Sequence, residues 1–423
     1  MKPPFSPSNR FLDEAKALAC VHCGLCLGAC PTYLETGNEN DSPRGRIYIM
    51  RALQDGRLPM ADAAVRHIDL CLGCRACEVA CPSGVQYGDL LEATREQIEK
   101  RYSRSAFQTF LRRTAIERVF PYPLRMKLAL FPAQWLKRFG MDRFLPKFAR
   151  EALSLIPVNA KSIPLPELSP ATSAQKQGRV GFIRGCVMSV LFGDTNASSV
   201  RLLNQAGYDV LTPKAQGCCG ALYAHGGNLQ RARECARHNI EVFEKLGFDA
   251  IIINAAGCGS TLKEYGHLLH DDSAWAERGR QFSSKVKDLT EWLSQPGGEP
   301  SNLRSQISDL VTYHDACHLA HPQRITQPPR ELIRRVAGRQ FVELPESDVC
   351  CGSAGTYNLT EPEMAERLQQ RKIENILKTG ARTVVTTNPG CILQIRAGLD
   401  KAGATGIQVL HIADFLVATA EGK

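Results

Sequence analysis

The sequence predicts a multidomain α+β chain: a mainly helical N-terminal domain followed by two copies of one α/β unit. Three observations carry this expectation. A run of four cysteines occurs twice within the first hundred residues, and the second half repeats itself at a period of about 132 residues. In that half, short apolar strands alternate with helical stretches. At 423 residues and 43% hydrophobic content, the chain can build two or three ordinary cores. The expected boundaries are 1–100 for the helical domain and 101–177 for a basic, aromatic helical region and linker. Residues 178–300 and 301–423 form the two repeats.

The first run is Cys20-Val-His-Cys23-Gly-Leu-Cys26-Leu-Gly-Ala-Cys30-Pro31, and its copy is Cys71-Leu-Gly-Cys74-Arg-Ala-Cys77-Glu-Val-Ala-Cys81-Pro82. Each reads C-x2-C-x2-C-x3-C-P, the bacterial ferredoxin spacing that wraps a [4Fe–4S] cluster. Three thiolates on a tight loop surround one cube. The fourth reaches the cluster of the other copy, because its Pro turns the chain away. Cys20, Cys23 and Cys26 are therefore paired with Cys81, and Cys71, Cys74 and Cys77 with Cys30. Zinc prefers ligands in two separated pairs. Disulfides are not expected in a chain that opens on the polar stretch Met1–Ala19, without the apolar core of a secretory signal.

Between and after the runs, Arg44–Gln54, Ala61–Leu70 and Gly84–Lys100 carry apolar residues at helical spacing. A short helix is expected before Cys20. Asp41-Ser-Pro-Arg-Gly-Arg46 reads as a turn into a helix, its arginines facing either a cluster, a partner or solvent. Residues 101–150 hold twelve Lys or Arg against Glu117 and Asp142, so the chain's net +9 is concentrated there. Aromatics are interleaved, among them Phe107, Phe110, Phe120, Phe131, Trp135, Phe139, Phe144 and Phe148. Three readings stand: a helical linker packed on its own core, a docking surface for a partner, or peripheral contact with an anionic membrane. No nucleic-acid module accompanies the basic residues, so nucleic acid is not an expected partner. No apolar run approaches the roughly 18 residues of a membrane span. Residues 156–178 read as a Pro- and Ser-rich linker.

In the second half Cys186 corresponds to Cys317, Cys218-Cys219-Gly220 to Cys350-Cys351-Gly352, and Cys258 to Cys391. A strand (RVGFIRG; LVTYHDA) runs into the first cysteine of each repeat, and a second strand (AIIINAAG; TVVTTNPG) runs into the last. A helix (229–247; 361–380) precedes each second strand. Cysteines at strand ends and in Gly turns lie where the loops of an α/β unit converge on a ligand. The expectation is a metal or cluster site in each repeat, with buried structural thiols or a redox disulfide as the alternatives. His314, His318, His321 and His225 lie near these cysteines as ligands, orienting groups or plain structural residues. Of the 17 cysteines, the runs take eight and the repeats eight. Cys235, inside a helical stretch, is read as a thiol without a role.

These blocks resemble the cysteine-rich CCG domain of heterodisulfide reductases and related oxidoreductase subunits, which implies non-cubane iron–sulfur clusters. That family's pattern ends in C-x-x-C, but this chain has Cys258-Gly-Ser-Thr261 and Cys391-Ile-Leu-Gln394. Four thiolates per repeat remain, for a further cluster or for zinc. Over the full length, VHCGLC, SPRGRIY, CPSGV, GCCGA, AAGCGSTLKEYG and CCGSAGTY resemble the iron–sulfur subunits of glycolate oxidase (glycolate dehydrogenase). The resemblance implies a subunit that is not catalytic alone. It would relay electrons from flavin-containing subunits that oxidise glycolate to glyoxylate towards a quinone-type acceptor. Its place would be the cytoplasm or the cytoplasmic face of the inner membrane. Related layouts imply as alternatives a lactate-utilisation or anaerobic glycerol-3-phosphate dehydrogenase subunit, or a heterodisulfide-reductase-like enzyme with its active site in the repeats. No GxGxxG opens a strand–turn–helix unit, so no flavin is expected on this chain.

Overall fold

The computed structural model describes residues 10–145, 150, 153–157, 162–298, 300 and 307–420; Lys147 and Phe148 of the basic segment lie outside these. In the N-terminal domain a short helix, Glu14–Leu18, leads into the first cysteine loop. Helices Pro43–Gln54, Asp62–Asp69 and Tyr87–Arg101 then pack their apolar faces together around Met50, Ile68 and Ile98, all fully buried. The Ser42 hydroxyl caps the first of these by accepting from Gly45 N at 3.0 Å, and Pro43 occupies the first turn, where no N–H partner is needed.

Each repeat forms a sheet. In the first, β1 (Leu168–Ser169), β3 (Tyr208–Leu211), β2 (Gly178–Ile183), β4 (Ala250–Ile253) and β5 (Val286–Asp288) lie side by side in that order. In the second, the order is β7 (Phe341–Glu343), β6 (Val311–Tyr313), β8 (Thr383–Thr386) and β9 (Gln408–His411). Only β1 runs antiparallel, and it comes from the stretch expected to be linker. The remaining strands pair in parallel in the same spatial order in both repeats. Phe182 faces Ile252 in one register and Tyr313 faces Val385 in the other. Strands β4 (Ala-Ile-Ile-Ile) and β6 (Val-Thr-Tyr) are buried along their whole length, as parallel strands covered on both faces must be.

The two sheets share a core. Val180, Phe182 and Ile252 of the first pack in one cluster with Tyr313, Val385 and Ile412 of the second. Helix Gly193–Gln205 lies on Ile412–Ala420, and helix Gln327–Ala337 on Leu289–Leu293, so each repeat covers the other in a pseudo-twofold manner. The Thr195 hydroxyl donates to Asp414 across the joint at 2.5 Å.

The N-terminal domain rests on both repeats. Arg95 donates to His225 O at 3.0 Å in the first, and Arg75 pairs with Glu264. In the second, Tyr357 donates its hydroxyl to Leu70 O at 2.8 Å, and Glu35 pairs with Arg367 and Arg371 at 3.2 and 3.0 Å. The basic segment departs from the reading as a linker packed on its own core. Along helix Pro123–Arg138 only Met126 is buried, while Leu124, Leu128 and Phe131 are 71%, 68% and 70% exposed. Part of the positive charge is neutralised at home, since Arg104 and Arg112 both pair with Asp69 and Glu99. Among the described residues no helix is long and apolar enough to cross a membrane.

Phe182→Ala empties a fully buried position in the core common to both repeats. It should cost about 3–5 kcal/mol, read as a lowered urea midpoint with the far-UV spectrum of the folded state retained.

Candidate functional site

The two N-terminal runs close into two separate cavities. One is lined by Cys20, Cys23, Cys26 and Cys81 together with Arg44. The other is lined by Cys30, Cys71, Cys74 and Cys77 with Arg46 and Tyr87. The fourth cysteine of each run thus faces the three of the other. The donor set is all thiol, four to a cavity, and each cavity has a guanidinium in its wall. The first lies at the surface, with Cys23, Val21 and Leu25 exposed. The second is lined by the buried thiols Cys30, Cys71 and Cys77, with Cys74 half-buried.

One helix start serves both. Arg44 donates to His22 O at 2.9 Å over the outer loop. Arg46, 1% exposed, donates to His67 O at 2.7 Å and to the Thr32 hydroxyl at 3.0 Å, and its Nη1 lies 3.9 Å from Cys30 Sγ. Between them Gly45 leaves no room for a side chain, because a Cβ would sit 2.0 Å from Glu39 O. The sequence left these arginines open between cluster, partner and solvent; the fold lays Arg44 over the outer loop, paired with Glu39 at the surface, and buries Arg46 beside the inner one. Burial raises the Cys71 thiol, but the Arg46 guanidinium, Arg95 and a hydrogen bond from Tyr87 more than offset it and bring it below the usual range. Cys77 has no such cation, and burial holds it well above that range.

In the repeats all eight predicted cysteines converge as two groups at the carboxyl ends of the parallel strands. Cys186 follows β2 and Cys258 follows β4; Cys317 follows β6 and Cys391 follows β8. The two Cys-Cys-Gly turns bring the remaining thiols to the same ends. Gly220 (φ +88°) and Gly352 (φ +86°) lie in the left-handed region. A Cβ on Gly352 would meet Ala365 O at 2.6 Å, and one on Gly220 would meet Ala232 O at 3.2 Å. Both turns therefore require glycine to press their thiols against the following helix.

Within each group the thiols are close enough to share protons. Cys186 and Cys218 Sγ stand 3.7 Å apart, and Gly220 N donates to Cys218 Sγ at 3.4 Å. Hydrogen bonds from Cys186, Cys219 and Cys235 hold the Cys218 thiol well below its usual range, while Cys186 and Cys219 are pushed up. In the second group the same division appears. Cys350 is held down by Cys317 and Cys351, which are themselves raised. Cys391 is lowered to about 5 by Cys351 and, against the cost of burial, by His314. Closely packed thiols cannot all ionise unless a cation joins them, and a thiophilic metal is the group that such a donor set fits. Lys372, 2% exposed, adds a buried cation near Cys350 and Cys351.

Cys235, read from the sequence as a thiol without a role, lies beside the first group. It lies on helix Leu229–Phe243 beneath the Gly220 turn and hydrogen-bonds with Cys218. The only signal in the sequence was arithmetic, one cysteine left over after two sets of eight. The final cysteine of the C-x-x-C pattern has no substitute at its own place. Thr261 is buried, and Gln394 is engaged with Asn358 at 3.3 Å and Ala365 O at 3.4 Å.

The histidines divide. His318 Nε2 donates to Gly73 O at 3.0 Å, and burial lowers its ring to about 3, so it is a neutral tie between the inner N-terminal loop and the second repeat. The His225 ring packs edge-on against it at 4.9 Å. His321 Nε2 lies 3.1 Å from Asp348 O and is structural. His314 alone points into the thiols. The inner loop also touches the second group directly, since Leu72 and Cys74 pack in one cluster with Cys350 and Cys317. Burial, and then the neighbouring Cys350, hold the Cys74 thiol well above its usual range.

Comparison with known proteins agrees with this layout. A model described as a 4Fe-4S dicluster domain matches residues 16–85, and one described as a cysteine-rich domain matches 180–263 and 311–396. Those matches define an iron–sulfur protein made of a dicluster domain and a duplicated cysteine-rich domain. The chain is 40% identical to the probable glycolate oxidase iron-sulfur subunit of Bacillus subtilis, over 97% of its length and 96% of the relative's. It is 35% identical to the glycolate oxidase iron-sulfur subunit of Escherichia coli, covering 92% and 91% of the two chains. It belongs to the glycolate oxidase iron–sulfur subunit family. A crystal structure of a hypothetical protein from Helicobacter pylori shares the fold at TM-score 0.54 and 9% identity, covering 97% of this chain and 74% of that one.

The cross-pairing of the runs has a direct check in spectra of the reduced protein. Cys30→Ser should alter the same cluster signal as Cys77→Ser, and Cys81→Ser the same signal as Cys23→Ser. If Cys30→Ser instead grouped with Cys23→Ser, the pairing across the two runs would be wrong.

Proposed function

We propose that this chain is the electron carrier of a flavin-dependent glycolate-oxidising complex, passing electrons from partner subunits towards a quinone-level acceptor. Cys20, Cys23, Cys26 and Cys81 hold one [4Fe–4S] cluster; Cys71, Cys74, Cys77 and Cys30 hold a second. Cys186, Cys218, Cys219 and Cys258, and Cys317, Cys350, Cys351 and Cys391, hold further cluster or zinc sites. The observation that carries the reading is continuity. A cavity of partly exposed thiols adjoins one of buried thiols, whose Leu72–Cys74 edge packs on the thiols of the second repeat. When loaded, these positions supply one-electron redox chemistry. The protein's own part is to hold the thiolates, exclude water and set the local charge with Arg44, Arg46 and Lys372.

The flavin that oxidises glycolate resides on the partner subunits, and the complex works in the cytoplasm or on the cytoplasmic face of the inner membrane. Helix Pro123–Arg138 is the docking element for those subunits. Leu124, Leu128, Phe131 and Trp135 make an exposed apolar stripe at helical spacing, flanked by the exposed Arg125, Lys127 and Arg138.

Two measurements test this. The purified chain should not turn over glycolate with an artificial acceptor, and should support turnover once the flavin subunits are added; activity of the chain alone would refute the carrier role. Leu128→Glu with Phe131→Glu should weaken association with the flavin subunits at least about tenfold, as loss of a central apolar anchor does. Unchanged assembly together with lost binding to anionic vesicles would assign the stripe to the membrane instead.

A further inference from the structure

The two cysteine-rich repeats share one strand order and one set of cysteine positions, which makes their differences informative. The register that pairs Phe182 with Ile252 in one sheet and Tyr313 with Val385 in the other makes His314 the counterpart of Ile183. The contacts that place Ala232 under Gly220 and Ala365 under Gly352 make Cys235 the counterpart of Leu368. At the first site the strand position is therefore an isoleucine, packed in the apolar core with Cys186, Cys218 and Cys219, while the helix position is a thiol. At the second the helix position is a leucine packed on Cys350, while the strand position is an imidazole.

His314 is fully buried, and among the described residues its ring nitrogens find no partner other than the Cys391 thiol they face. One of its nitrogens and the sulfurs of Cys351 and Cys391 all lie within 4.8 Å of one another. Its backbone is fixed by a 2.9 Å hydrogen bond from His314 N to Val385 O, so the ring is held at the strand end and aimed at the thiols. A buried imidazole whose polar neighbours are thiols is what a ligand looks like before its metal is counted.

We infer that each repeat recruits a fifth donor from a different element. Cys235 gives the first site an all-thiolate set with Cys186, Cys218, Cys219 and Cys258. His314 gives the second a mixed thiolate–imidazole set with Cys317, Cys350, Cys351 and Cys391. The two centres are then chemically distinct. The mixed one, carrying one thiolate charge fewer, is the more readily reduced, as imidazole-for-thiolate exchange is in iron–sulfur centres. This rests on the reading that the repeats bind metal.

The test uses the full chain, purified anaerobically after labelling with ¹⁵N-histidine. Metal analysis should give iron or zinc beyond the eight irons of two four-iron clusters. For iron, pulsed EPR should detect coupling to the labelled nitrogen. For zinc, edge absorption should find a nitrogen at about 2.0–2.1 Å beside sulfurs at about 2.3 Å. His314→Ile, which installs the first repeat's residue, should abolish that nitrogen signal and speed chelator extraction of one centre about tenfold or more. His314→Cys should abolish the signal but keep the metal. Cys235→Leu, which installs the second repeat's residue, should leave the nitrogen signal intact and speed extraction of the other centre. Metal in the repeats with no histidine nitrogen signal, and with extraction unchanged in His314→Ile, would overturn the mixed set. Extraction unchanged in Cys235→Leu would overturn the five-thiolate set. Absence of any metal beyond the two clusters would overturn the reading of the repeats themselves.

Discussion

Every part of this molecule is arranged around the electrostatics of crowded, buried sulfur. A thiol in an apolar interior resists ionisation, and one beside another thiolate resists it more. The protein nevertheless brings such groups together at four places, within 3.7 Å at the one closest pair described. It manages the conflict with fixed donors and cations: backbone N–H groups at Gly73 and Gly220, and Arg46 and Lys372, each nearly inaccessible to water. The remaining imbalance is what a metal resolves. A metal bound at these places would tie loading to folding, since the ionisations that bind it would also relieve the core.

The duplicated sheets supply the rigidity this needs. Because Phe182, Ile252, Tyr313 and Val385 belong to one core, neither repeat can shift its strand ends without disturbing the other. The N-terminal domain is keyed to that frame by Tyr357, His318 and Arg95. The inner N-terminal thiols are thereby held against the second repeat, and the outer ones are left nearer the surface. Position along the line, from exposed to buried thiols to the strand ends, follows from packing and not from the order of cysteines in the chain.

Much of this was legible in the sequence, for identifiable reasons. Thiol spacing of two, two and three residues encodes a loop geometry, and strands that end at cysteines encode a site at a sheet edge. What escaped was whatever depends on contacts distant in sequence. Strands β3, β5, β7 and β9 are three or four residues long and give little periodicity. The edge strand β1 sits in a Pro- and Ser-rich stretch that reads as linker. Arg46 looked as solvated as Arg44, because nothing local reveals that His67, Thr32 and Cys30 will enclose it. Cys235 lies seventeen positions from Cys218 and meets it only because a glycine turn presses onto a helix. His314 was one of several histidines near a cysteine, and only the register of β6 distinguishes it.

Arg46 has one more consequence. A guanidinium stays protonated throughout the range in which proteins remain folded. Burial works against its charge, but Cys71, Tyr87, Cys30 and Asp41 more than restore it. The field it imposes on Cys30 and Cys71 is therefore a constant, the same in acid as in alkali. A histidine or lysine at that place would have let proton uptake and electron arrival drive one another. With arginine, this cation adds no such coupling, and electrons can cross the inner position without a proton having to follow them to that side chain.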